Sequence, residues 1–260
     1  MSGVSIVALS VMPESSAAFE TIGDHAAATA LVFSCEHASN ALPEWTATAA
    51  DAPLLADHWG WDIGAAALTR ELVSRVGGSA VLSRFSRLVC DPNRAPDDPT
   101  FVVERIGDHA LSWNRGIDPA ERARRHHRYA EPYHAEIDRL IGARRQRRQP
   151  TRLCSIHSFT PTWHDQPREM EIGVLFDSHE EIAHRLIGDL EEARFVARAN
   201  EPYSGYAGLI HAARRHGRTH DIVYVELEVR QDLISTPAAA REVAQRLVPA
   251  IERLADARGV

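Results

Sequence analysis

Apolar residues in this chain fall into short unbroken runs, separated by stretches in which they recur every three or four positions. Ala30-Leu31-Val32-Phe33-Ser34-Cys35 stops at Glu36-His37, a pattern that predicts a strand buried on both faces. Ser155-Ile156-His157-Ser158-Phe159 closes a similar run from Leu153, and Met170 to Phe176 and Ile222 to Arg230 complete the set of long strands. Ser79 to Leu82 and Leu88 to Cys90 read as shorter strands around Arg84 and Arg87. Between them, Gly60 to Val76 carries Ile63, Ala66, Leu68, Leu72 and Val76 at helical spacing and stops at Gly77-Gly78. Asp118 to Arg148 reads as a long helix with an Asp cap and Pro119 in its first turn. Its Arg125-His126-His127-Arg128 cluster and its terminal arginines, Arg144 onward, are expected on solvated faces. His179 to Ala197 and Thr236 to Ala257 are further helices, while Ala95 to Asn114 and the polar Arg214 to His220 segment read as loops.

Strands alternating with helices of this length predict an α/β fold, a single three-layer domain whose mainly parallel mixed sheet is covered by helices on both faces. Residues 1–28 are expected to form an arm and residues 29–260 one domain, since no repeat or linker divides them. In such sheets ligands bind at the carboxyl ends of strands, where His37 and His157 fall. Strand alternation also puts Glu226, Glu228 and Arg230 on one face, opposite Val225, Leu227 and Val229.

Charge narrows the chemistry. A formal net charge of -7 argues against a nucleic-acid partner, which needs a positive face. All the basic side chains other than histidine are Arg, so Schiff-base and P-loop lysine chemistries are excluded. Cys35, Cys90 and Cys154 lie in apolar runs without CxxC spacing and are expected to be reduced, packed thiols. The N-terminus lacks the basic region of a signal peptide and no run is long enough to span a membrane, so a cytoplasmic location is expected.

Apolar strands ending in His, His and Glu suit a zinc hydrolase, with two imidazoles as ligands and a carboxylate as general base. His37 and His157 are the expected ligands, with Asp62 preferred as the third over Asn40 or Glu36. A glutamate of the Glu226/Glu228 pair is the expected base. In Asp91-Pro92-Asn93-Arg94, the Arg94 fork matches a carboxylate bidentately, with Asn93 beside it and Tyr203 as a phenol over the site.

Six ordered segments resemble the N-formylglutamate amidohydrolase family. They are Ser34 to Asn40, His58 to Ala65, Arg87 to Arg94, Ile156 to Ser158, Asn200 to Gly205 and Leu227 to Ile234. More distantly, Ser155 to Phe159 and Glu228-Val229-Arg230 are similar to segments of zinc metallocarboxypeptidases, which implies a fold of that kind. Carried over, His37 and His157 are metal ligands, Glu228 is the base, and Asn93-Arg94 hold the substrate carboxylate, with Arg87 or Arg230 in support. Asn40 stands where carboxypeptidases have Glu, which leaves the third ligand open. The resemblance implies one zinc per chain and cleavage of the N-formyl amide of an acidic amino acid such as N-formyl-glutamate. The expected partner is therefore a small anionic N-acyl amino acid, with no nucleic acid and no membrane. A non-catalytic binder of an acidic metabolite and a peptidase are the alternatives.

Overall fold

The structure is a computed structural model that describes residues 10–46 and 49–256. Seven strands make the central sheet: β1 (Phe19–Gly23), β2 (Leu31–Cys35), β3 (Ser79–Ser83), β4 (Arg152–Phe159), β5 (Ile172–Leu175), β6 (Ala197–Ala199) and β7 (Val223–Arg230). Their order is β6-β5-β7-β4-β2-β3-β1. The central four, β7, β4, β2 and β3, run parallel, whereas β5 lies antiparallel to β7 and β1 antiparallel to β3. Every residue of β2 and β4 is buried, as expected of strands covered on both faces.

One face carries α1 (Ala65–Val76), α4 (Glu180–Glu192) and α6 (Pro237–Asp256). On α6 the buried positions Ala240, Val243, Ala244, Leu247, Ala250, Ile251 and Leu254 follow the three-to-four spacing that makes one apolar stripe. They close over Cys154, Ile156, Val225, Leu227 and Val229 of the sheet. Each such large aliphatic side chain taken from water contributes about 1.5–3 kcal/mol. The other face carries α3 (Glu131–Gln146) and α5 (His211–His220), which bury Tyr133, Ile137, Ile141 and Ala213 against Val32, Val81, Leu153 and Tyr224. A third apolar cluster, around Leu42, Phe85, Leu88, Phe101 and Tyr129, supports the segment between β3 and α3.

Several expectations need correction. Leu88 to Cys90 is a turn inside that third cluster, not a strand. Arg214 to His220 belongs to α5, whose buried face is Ala212, Ala213, His216 and Gly217, too small and polar to register as an apolar stripe. The long helix over 118–148 divides into α2 (Pro119–Arg125), a π turn at His126–Ala130, and α3. Arg125 and Arg144 are buried rather than solvated. Arg125 donates to the carbonyls of Val89 (3.0 Å) and Trp113 (2.7 Å), and Arg144 to those of Ala27 and Pro150 (both 3.2 Å) and of Thr29. A buried guanidinium is tolerable only with such partners. Within the stretch read as an arm, β1 forms an edge of the sheet, and Val11–Met12 pairs with Leu42–Pro43. The segment from 95 to 114 holds two short 3-10 turns and the hairpin Arg105–Ile106/His109–Ala110. The expected end of the last helix at Ala257 lies outside the described residues. The three cysteines are free and buried, and burial pushes the Cys35 thiol up to about 12.

Candidate metal centre and active-site cleft

The sheet register assembles the site. β7 pairs with β4 so that Glu228 stands opposite His157 and Glu226 opposite Ser155. His157 shares its strand face with Leu153, the face toward α3 and α5, so the site opens on that side at the carboxyl ends of the strands. His37 follows β2, the next parallel strand. Asp62 is brought in by a tight turn before α1, where its amide donates to the His37 carbonyl at 3.0 Å. Gly64 completes that turn with φ 84°, and a Cβ there would collide with the Ile234 carbonyl.

The two imidazole rings meet edge to face, centroids 4.7 Å apart. Each uses one nitrogen on a carboxylate and turns the other toward Asp62. His37 Nε2 donates to Asp91 Oδ1 at 2.7 Å, while its buried Nδ1 has no hydrogen-bond partner among the described residues and lies 3.4 Å from Asp62 Oδ2. His157 Nε2 pairs with Glu36 Oε2 and Nδ1 with Asp62 Oδ2, both at 2.8 Å. Two donors each about 2.1 Å from a tetrahedral zinc would stand roughly 3.4 Å apart. The orphaned Nδ1, the N,N,O donor set and the carboxylates behind both rings therefore fit a divalent cation. Asp91 and Glu36 are the members of this arrangement that the pattern of the chain did not single out for that role. Asn40 is not among the donors, since its amide donates to the Leu55 carbonyl at 2.9 Å. Glu36, the other alternative ligand, is fully buried and bonded to Tyr133 and Ser155 as well as His157.

The electrostatics follow from this crowding. Burial opposes ionisation of Asp62, but Arg87, His37 and His157 outweigh it and hold the carboxyl well below its usual range. Burial also disfavours a charged His157, yet Glu226, Asp62 and Glu36 together hold that imidazole well above its usual value. At Glu226 and Glu228 burial outweighs the nearby His157, which favours their charged forms. Burial pushes Glu226 up to about 7 and Glu228 up to about 8, with the neighbouring carboxylates adding to the effect. Glu228 is 5% exposed and its Oε2 has no partner among the described residues. A cation beside these two glutamates would favour their charged forms.

His37, Asp62, Arg87, Asn93, Arg94, His157, Tyr203, Glu226 and Glu228 all line one cleft of about 150 Å³, together with His58 and Thr160. Their roles differ from expectation in three places. Arg230 does not reach the cleft: its guanidinium is held by Asp232 at 2.8 Å and by the carbonyls of Arg168 and Glu169, because β7 has run past the site by that residue. Arg87 is ion-paired with Asp62 and so supports the donor cluster. Asn93 spends its amide on the protein, accepting from the Ala212 amide at 2.9 Å and donating to Leu209 and Glu226, which ties its turn to α5 and β7. Arg94 donates to the Asn93 carbonyl (2.8 Å) and Thr100 (3.2 Å), and no carboxylate pairs with it among the described residues. Tyr203 sits on a loop pinned by Asn200 Oδ1, which accepts from the amides of Phe176 and Gly205. Gly173 of β5 lets the Glu201 carbonyl on that loop pass close by. Arg168, which the pattern gave no reason to single out, lies over the rings of Phe159 and Tyr203 at the mouth.

A sequence model of N-formylglutamate amidohydrolases matches residues 29–235. No curated protein matches the chain at a significant level. The crystal structure of a gene product from Agrobacterium tumefaciens is 31% identical, with 92% of this chain and 95% of that one covered and a TM-score of 0.85. N-formylglutamate amidohydrolase from Ralstonia eutropha is 19% identical over 92% of this chain and 97% of its own, with a TM-score of 0.73, and has the same fold. A metallo-carboxypeptidase from Burkholderia cenocepacia is more distant, 13% identical over 92% of this chain and 60% of its own, with a TM-score of 0.41. By the extent of the family match, this chain belongs to the N-formylglutamate amidohydrolase family.

Proposed function

We propose that the chain is a metal-dependent hydrolase of small N-acyl amino acids, N-formyl-glutamate being the first substrate to test. The observation that carries this reading is the convergence of His37 Nδ1, His157 Nδ1 and Asp62 Oδ2, with each imidazole fixed from behind by a carboxylate. Those three side chains would hold one zinc ion, which when bound supplies Lewis-acid polarisation of an acyl oxygen and eases deprotonation of water.

The protein's own groups do the rest. Glu228 takes the proton from the attacking water and returns it to the departing amine. Its position opposite His157 and its unpartnered Oε2 support that role over Glu226, which accepts a hydrogen bond from Asn93. Arg94 offers its free N–H groups to the amino acid carboxylate, Asn93 fixes the turn that presents it, and Tyr203 closes the mouth. Water plus the formyl amide gives formate and the free amino acid.

Cleft size favours this reading over a peptidase. About 150 Å³ is below the 300–1,000 Å³ typical of pockets for drug-sized ligands, and suits one small metabolite. A binder without catalysis finds less support, since Asp62 offers the carboxylate that position 40 lacks. Incubating metal-loaded protein with N-formyl-glutamate and with short peptides, and assaying formate and free amino acid, tests the reading. Stoichiometric formate and glutamate from the former alone is the expected result. Peptide cleavage without formate release would replace the reading.

A further inference from the structure

Beside the cleft, α3 and α5 frame a second cavity of about 180 Å³. Arg94 is the wall common to both spaces. The other charged or ionisable lining comes from Glu131 and His134 of α3, His211 and Arg215 of α5, and His126 of the π turn, none of which lines the cleft.

A row of hydrogen bonds fixes what His134 presents there. Asp138 is an acceptor only, so His216 donates to it through Nδ1–H at 2.7 Å. That leaves His216 Nε2 as an acceptor, 3.3 Å from Arg215 Nη1 and 3.0 Å from His134 Nδ1; two bare nitrogens at that closer distance would repel, so Nδ1 carries the His134 proton. The remaining nitrogen, His134 Nε2, is a bare acceptor with no protein partner among the described residues. His134 is 5% exposed and lines the cavity. Burial, with His216 and Arg215 nearby, keeps its imidazole neutral, and Glu36 is too weak a counterweight to reverse this. Glu131, which also lines the cavity, uses Oε2 on His127 at 2.6 Å, and its Oε1 has no hydrogen-bond partner among the described residues.

Arg215 commits Nη1 to Asp138 Oδ2 at 3.2 Å and keeps its other N–H groups, so two permanent cations, Arg94 and Arg215, share a small space with a bare nitrogen acceptor and a carboxylate. A simple anion would match the guanidiniums and leave the acceptors unmet, and a simple cation would face Arg94 and Arg215. A molecule with a carboxylate at one end and N–H donors at the other satisfies both. We infer that this cavity binds a free amino acid as its zwitterion, the carboxylate on Arg94 and Arg215 and the ammonium on His134 Nε2 and Glu131. Since Arg94 also faces the cleft, an occupant draws its guanidinium away from the substrate there, and the released amino acid restrains turnover. That last consequence rests on the function proposed above, whereas the binding itself does not.

Calorimetric titration of the metal-loaded full chain with glycine and with acetate tests it without reference to turnover. Charge-assisted hydrogen bonds of this kind are each worth about a factor of ten or more. Glycine should bind about tenfold more tightly than acetate. Arg215→Gln should weaken both about tenfold, and Glu131→Gln, at an exposed position, should weaken glycine alone. Neither residue lines the cleft, so these shifts report the cavity. Circular dichroism of both variants checks that they are folded, and Glu131→Gln serves if Arg215→Gln is not. Equal affinity for glycine and acetate, no glycine binding at millimolar concentration, or Glu131→Gln titrating like the unaltered protein would each overturn the inference. Failure to release formate from N-formyl-glutamate would leave it standing.

Discussion

Glu228→Gln isolates the chemical step. The change preserves side-chain volume at a position 5% exposed, and it removes no hydrogen bond at Oε2, because that atom has no partner among the described residues. Glu228 is outside the His37, Asp62 and His157 group, so metal content should stay the same if that group holds the ion; lost metal would place the ion on the neighbouring group of His157, Glu226 and Glu228 instead. What disappears is a carboxylate able to take a proton opposite His157. General acid–base catalysis contributes about 10²–10⁴ in rate, which at 1.36 kcal/mol per decade corresponds to roughly 3–5 kcal/mol of transition-state stabilisation. The assay is turnover of N-formyl-glutamate at saturating substrate, with metal measured on the same preparations. A kcat lower by at least about 10², at unchanged metal content, is expected. Glu226→Gln is the control, since that residue accepts from Asn93 and lies 3.6 Å from His157 Nε2. If Glu228→Gln turns over normally while Glu226→Gln is dead, the two roles have been exchanged and the reasoning from the unpartnered oxygen is refuted.

Other outcomes follow from the same geometry. Asp91→Asn removes the carboxylate that fixes His37 and should weaken metal affinity about 10–100-fold, read by competition with a chelator; unchanged affinity would deny Asp91 that role. Metal uptake should release a proton, because His157 is held protonated between Asp62 and Glu36 and must be neutral to coordinate; affinity should therefore fall as pH is lowered, and a pH-independent affinity would contradict this. Arg94→Gln should raise KM with a smaller effect on kcat, as for loss of a binding contact, and a kcat defect alone would place Arg94 elsewhere in the reaction. Gly64→Ala forces a Cβ onto the Ile234 carbonyl at a left-handed position and should cost about 2–3 kcal/mol, seen as a lower Tm; an unchanged Tm would show that the turn relaxes.

The fold, and the meeting of His37, Asp62 and His157 in space, were legible for different reasons. β2 and β4 declared themselves as apolar runs, and the histidines that end or interrupt them stood out because an imidazole is rare on such strands. Asp62 stood ahead of Asn40 because it is a carboxylate near the start of the next helix, where a neutral amide would bind zinc weakly. The carboxylates behind the rings were not legible in that role. Glu36 adjoins His37 yet serves His157, and Asp91 serves His37 from a turn 54 residues away, pairings that only the strand register and the third apolar cluster create. Alternation put Arg230 on the same face as Glu228 correctly, but one step along a strand is enough to leave a cleft this small. α5 escaped detection because it packs through Ala, Gly and His, and those same histidines and arginines build the second cavity.

The account turns on whether the inward nitrogens of His37 and His157 and the Asp62 carboxylate share one ion. Anomalous diffraction from crystals grown with zinc, collected on either side of its absorption edge, answers that directly. One peak per chain, within about 2.0–2.2 Å of all three donors and beside Glu228, is the predicted result. A protein saturated with zinc that gives no peak there, or places it on other side chains, would contradict the account at its base.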